Sequence, residues 1–137
     1  MMNDILKLLL PLVMSLSIGT AVGAPPDAVI TDTNAVEWVE GPEPGIVLKR
    51  LVGALARINL VRYEAGIISA PHRHATEQMM LIQSGRYKFT LGEEGEEEER
   101  ILEAGDFIVL PSYSLHGVEA LEASEHIAIF APAALPQ

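Results

Sequence analysis

From residue 36 onward, apolar and β-branched positions come in short runs, each followed by a turn signal. The runs span 36–39, 46–52, 56–63, 78–83, 86–91, 100–102, 107–110, 116–121 and 126–130. Between them stand Gly41-Pro42, Pro44-Gly45, Gly66, Ser84-Gly85, Gly92 to Gly95, Ala104-Gly105-Asp106 and Pro111. No stretch of this region keeps a helical period. Many short strands divided by Gly, Pro and Asp turns predict an antiparallel sandwich or barrel. The run Glu93-Glu94-Gly95-Glu96-Glu97-Glu98-Glu99 interrupts the pattern. It has no spacing of the calcium-loop type and reads as a solvated hairpin tip that keeps strand edges apart.

The first 24 residues differ. An apolar stretch runs from Ile5 to Ala24, with Pro11, Ser15, Ser17 and Gly19 inside it and small residues at its end. That is the form of a secretory signal, with cleavage after Ala21 or Gly23, and its length also suits a membrane anchor. Either reading puts the rest of the chain in the periplasm or outside the cell. Residues 25–35, rich in Pro, Asp and Thr, read as a linker. Residues 36–137 then form one domain, a normal size for one core.

Composition narrows the chemistry. The 137 residues include no cysteine, which excludes disulfides, thiolate metal sites and a Cys nucleophile. The formal net charge is −10, so nucleic acid is not an expected partner. There is no glycine-rich phosphate loop, nucleophile elbow or metalloprotease helix.

Three of the four histidines fall in a suggestive arrangement. His72 and His74 stand two apart, so in a strand both imidazoles project from one face. The same period reaches Thr76 and Gln78 and turns Glu77 away, which makes Gln78 the expected third ligand of a metal. A turn at Gly105-Asp106 and Pro111 leads to His116, the fourth candidate. His126 is left over and reads as an ordinary core histidine.

The segment from Gly66 to Gly85 resembles the first motif of the cupin family. Gly66, His72, His74 and Gly85 are in register, and Gln78 stands in place of the acid. Gly105, Pro111 and His116 resemble the second motif, with Tyr113 at a glycine position and Ala120 at an asparagine position. The resemblance covers about residues 36–131. It implies an all-β fold, a small jelly-roll barrel that is usually dimeric, with the three histidines and the residue at position 78 as metal ligands. Three imidazoles and an amide are neutral donors, so a divalent metal would keep its full charge and favour an anionic substrate. Imidazole-rich sites suit zinc, nickel, iron, copper or manganese.

A narrower resemblance is to the cupins of bacterial uronate catabolism, through Trp38, Glu77-Gln78, His116-Gly117, Phe130 and Pro132. That subgroup has a catalytic Asp and Arg where this chain has Ala128 and Ala134, so the metal site transfers and the activity does not. Arg62, Arg73, Arg86 and Tyr113 are candidates for a replacement cation or hydroxyl. Arg62, Tyr113 and Phe130 are the substrate-pocket candidates. The expected function is a divalent-metal cupin acting on a small anionic molecule by isomerase, lyase or dioxygenase chemistry. The alternative is a non-catalytic module that binds a small ligand.

Overall fold

The computed structural model describes residues 27–132. The proposed signal or anchor, residues 1–24, lies outside them. The described residues hold ten strands and no helix: β1 (Val39–Glu40), β2 (Ile46–Val52), β3 (Arg57–Tyr63), β4 (Ile68–His72), β5 (Glu77–Ser84), β6 (Arg86–Leu91), β7 (Glu98–Glu103), β8 (Phe107–Leu110), β9 (His116–Ala120) and β10 (Ser124–Ala131). Residues from Thr31 onward make one compact unit. A six-stranded sheet runs β1-β2-β3-β10-β5-β8 and a four-stranded sheet runs β4-β9-β6-β7. Every pairing is antiparallel. The architecture is the all-β, antiparallel double sheet that a jelly roll requires.

Side-chain alternation sets the two faces. Along β10, Ser124, His126, Ala128 and Phe130 are buried and the residues between them are half-buried. β3 sends Asn59, Val61 and Tyr63 inward, and β5 sends Gln78, Met80 and Ile82. The core forms where these inner faces meet Tyr87, Phe89, Val118 and Ala120 of the other sheet. Tyr87 and Phe89 are wholly buried there.

Two differences from the sequence reading bear on the site. Residues 68–72 form a strand of their own, although 67–71 carry no clear alternation. The acidic run is also only partly a tip: a turn over 92–97 is closed by the Glu96 amide donating to the Glu93 carbonyl (2.9 Å), and Glu98 and Glu99 begin β7. β7 is a sheet edge, where exposed carboxylates discourage pairing with another chain.

Candidate metal centre

His72 is the last residue of β4 and His116 the first of β9, and they are register partners in the four-stranded sheet. Opposed residues on antiparallel strands carry neighbouring side chains, so the two rings meet with centroids 4.5 Å apart. His74 follows in the connection to β5. Its carbonyl accepts a hydrogen bond from the Tyr113 amide (2.7 Å), which fixes that connection beside β9. Gln78 is the second residue of β5, in the other sheet. No single strand carries residues 72–78, so the alternation argument for them is corrected: β4 ends at His72, and the chain crosses from one sheet to the other before β5 begins. The side chains share a cavity because two facing sheets supply them.

The ligand-type nitrogens of His72, His74 and His116 all lie within 4.8 Å of one another. His72 Nδ1 lies 2.7 Å from the Ala70 carbonyl and His116 Nδ1 lies 3.0 Å from the Ser114 carbonyl. A carbonyl only accepts, so each Nδ1 carries the proton and each Nε2 is left with a lone pair. His72 Nε2 and His74 Nε2 are 3.1 Å apart. Two lone pairs at that distance repel unless a proton or a cation lies between them. Burial, then the neighbouring His72, His116 and Arg57 charges, push the His74 imidazole down to about 4. Burial lowers that of His116 as well. Neutral, lone-pair-bearing rings are what a metal needs at ordinary pH.

Gln78 is 7% exposed, and its Oε1 is buried with no hydrogen-bond partner. A buried carbonyl-type oxygen without a donor is costly, by about 1–3 kcal/mol. Three imidazoles with inward Nε2 atoms and this orphaned oxygen in one cavity fit a metal ion. Glu77 is half-buried and does not line that cavity.

The cavity has a volume of about 340 Å³. Phe130 lies in its wall with its ring edge-on to His74, at a centroid distance of 5.3 Å. Arg62 and Tyr113 do not line it, which corrects their assignment as pocket residues. Arg62 lies on the outward phase of β3, pairs with Glu125 (2.7 Å) and stacks on Trp38 (4.0 Å). Tyr113 is 61% exposed and acts through its backbone. Its φ of 64° is left-handed, which explains why a glycine suits that position in the family motif. Arg73 holds the Tyr113 carbonyl and Glu93, and Arg86 pairs with Glu122 on the surface.

The residues missed from sequence are Arg50, Arg57 and Asn59, all in the cavity wall. The phase of β3 carried the signal, because Arg57 and Asn59 alternate with Val61 and Tyr63. His126, read as an ordinary core residue, is buried at 3% exposure. Its Nδ1 lies 2.9 Å from the Tyr87 hydroxyl.

A family model described as the cupin domain matches residues 59–130, more than half of the chain. Among solved structures, KdgF from Halomonas sp. is 30% identical, with a TM-score of 0.66 over 75% of this chain and 94% of that one. This fits the narrower likeness to uronate-catabolism cupins. Bacillus subtilis oxalate decarboxylase, described with Mn(II) centres, is 17% identical with a TM-score of 0.66, covering 80% of this chain and 32% of that one. FeII HppE is 15% identical with a TM-score of 0.64, covering 79% and 63%. The last two are likenesses of fold. A search of curated proteins gave no match. With the double sheet, the three converging histidines and the match over residues 59–130, this chain belongs to the cupin family.

Proposed function

We propose that the chain holds one divalent transition metal through Nε2 of His72, His74 and His116 and Oε1 of Gln78, and acts there on a small anionic molecule. The observation that carries this reading is the orphaned Gln78 oxygen, buried in the same cavity as the three imidazoles. The bound metal would act as a Lewis acid on a carbonyl or carboxylate oxygen. The chain's own residues do the rest. The Ala70 and Ser114 carbonyls hold two tautomers, burial keeps His74 and His116 neutral, and Phe130 packs edge-on against the His74 ring. Zinc, nickel, iron, copper and manganese all suit such an imidazole-rich donor set. Isomerase, lyase and dioxygenase chemistry all suit such a centre.

A second reading is a binding module without turnover. It is favoured by Ala128, whose methyl lines the cavity where the uronate subgroup places an acid. Two further proposals complete the picture. Residues 1–24 direct the domain to the periplasm or the exterior, which N-terminal sequencing of the mature protein tests. The outward face of β10, β5 and β8 supports a homodimer, because Ile127, Leu81 and Phe107 lie abreast there, with Ile129, Met79 and Val109 beside them.

Metal analysis of the purified protein tests the main reading. One metal per chain is expected, falling below a tenth of that in His74→Ala. Unchanged metal in that variant removes the site. Loaded protein assayed on sugar acids and small carboxylates, in air and without it, separates enzyme from module: turnover supports the enzyme, and binding alone the module.

A further inference from the structure

In a chain of net charge −10, cations without partners are uncommon. Of the nine Lys and Arg residues, Lys7 lies outside the described residues. Arg62, Arg73, Arg86, Lys88 and Arg100 each pair with a surface glutamate. Lys49 donates to the Thr33 carbonyl (2.7 Å) and lies over Trp38. Among the described residues, the Arg50 and Arg57 guanidiniums alone have no ion-pair or hydrogen-bond partner. Both line the cavity that contains the three histidines.

Arg57 is the more telling of the two. Its Nε is buried and unpartnered. Its guanidinium lies over the Phe130 ring, 4.3 Å from the centroid, on the aromatic ring that also touches His74. Burial and the Arg50 charge both disfavour its protonated form. Glu40 is the one carboxylate that lines this cavity, and it forms no ion pair with either arginine, so two like charges near each other mark a place for an anion.

Asn59 adds the second half. It is 6% exposed, faces the same cavity, and its Oδ1 is a second buried orphan. Register places Arg57, Phe130 and Gln78 abreast on β3, β10 and β5, and Asn59, Ala128 and Met80 abreast in the next inward row. Ala128 is the smallest side chain of that second row, so the cavity reaches Asn59. Arg57 and Asn59 are two residues apart on one strand face, about 6.7 Å along it. A cationic donor and a neutral acceptor side by side on one strand face suit a ligand that carries a carboxylate with a hydroxyl beside it.

We propose that Arg57, backed by Arg50, and Asn59 form a carboxylate subsite selective for small 2-hydroxycarboxylates. The guanidinium donates to both carboxylate oxygens, and Asn59 Oδ1 accepts the ligand's O–H. A 2-oxo acid can only accept, from the Asn59 NH2, and an unsubstituted acid meets neither amide atom, so each leaves the buried Oδ1 unpaired. This deepens the proposed function by naming the substrate class, yet neither residue is a proposed metal ligand, so the two readings fail separately.

The test is a titration of the protein with lactate, pyruvate and propionate, followed by NMR, in metal-free and zinc-loaded forms, with metal content measured in parallel. Lactate should bind about tenfold more tightly than the other two in both forms. In the unmodified protein the Arg57 Nε–H resonance should shift on saturation. Arg57→Met should weaken all three acids at least about tenfold without changing metal content, and Arg57→Lys less so. Asn59→Leu should remove the lactate preference and leave propionate unchanged. Absence of saturable binding, an Arg57 resonance that does not move, or a lactate preference that survives Asn59→Leu overturns the subsite. Failure of the protein to retain one zinc per chain on loading, with this pattern intact, overturns the metal reading alone.

Discussion

His126 shows how a single residue can set the response of the fold to acid. It is enclosed by Tyr63 and Tyr87, with ring centroids at 5.8 and 5.2 Å, and burial lowers its imidazole from 6.5 to about 3. Between those values the unfolded chain binds a proton that the folded chain refuses. Stability therefore falls as pH drops through 6.5 and stops falling on this account below about 3. Over the whole window the loss reaches roughly 5 kcal/mol, at 1.36 kcal/mol per unit. His74, lowered to about 4, contributes in the same direction. Urea midpoints at pH 7 and pH 4.5 measure the effect. His126→Gln, which keeps a partner for the Tyr87 hydroxyl, should shrink the difference between them. At the same scale, Gln78 and not Glu77 faces the cavity, as expected, but the phase within β5 sets this and not a strand continued from the histidines. The role of Tyr113 was not, because its contribution is a backbone conformation, which residue type does not announce.

The elements meet the site through their ends and their turns. β5 hands the chain to β6 in the other sheet through Gly85 alone, at φ 75°. A Cβ there would stand 2.1 Å from Ser124 Oγ and 2.6 Å from the Ala123 carbonyl. Ser124 cannot retreat easily, since its hydroxyl accepts from the Arg86 amide (3.0 Å) and donates to the Glu122 carbonyl (2.7 Å). Gly66 has a similar φ of 80°, but nothing lies within 4 Å of its Cβ position. Gly66→Ala should cost about 1 kcal/mol, the strain of a left-handed residue. Gly85→Ala should cost more than about 2 kcal/mol, because overpacking adds to that strain. Chemical denaturation of the two variants compares them, and equal losses would contradict the packing account. Most strand positions were readable because inward and outward residues differ in polarity. β4 was not, because its burial is irregular and its pairing with β9 shifts between Ser69 and His72.

The whole molecule presents one feature that no single strand shows. Leu81, Phe107 and Val109 are exposed at 40%, 54% and 46%, on the outward face of β5 and β8 beside the apolar outer side of β10. An apolar sheet face of this kind is a candidate for pairing with a second copy. Analytical ultracentrifugation of the wild type should give a dimer, and Phe107→Glu should give a monomer with the same circular dichroism spectrum. A monomeric wild type at micromolar concentration would remove the dimer proposal. The net charge of −10 does not oppose such a contact, because the acidic residues concentrate around β7 at the edge of the other sheet.

Residue type and spacing alone determined the strand-rich fold and the three histidines as a set. These follow from local rules: alternation of period two, glycine at left-handed turns, and imidazole as a ligand. Tertiary structure decided what those rules cannot reach. It placed His72 and His74 on one sheet and its exit, with Gln78 on the other, so their convergence depends on how two sheets face each other. It also turned Arg62 outward and Arg57 inward on the same strand. Alternation puts the two on opposite faces of β3, and the packing of the second sheet makes the Arg57 face a cavity wall.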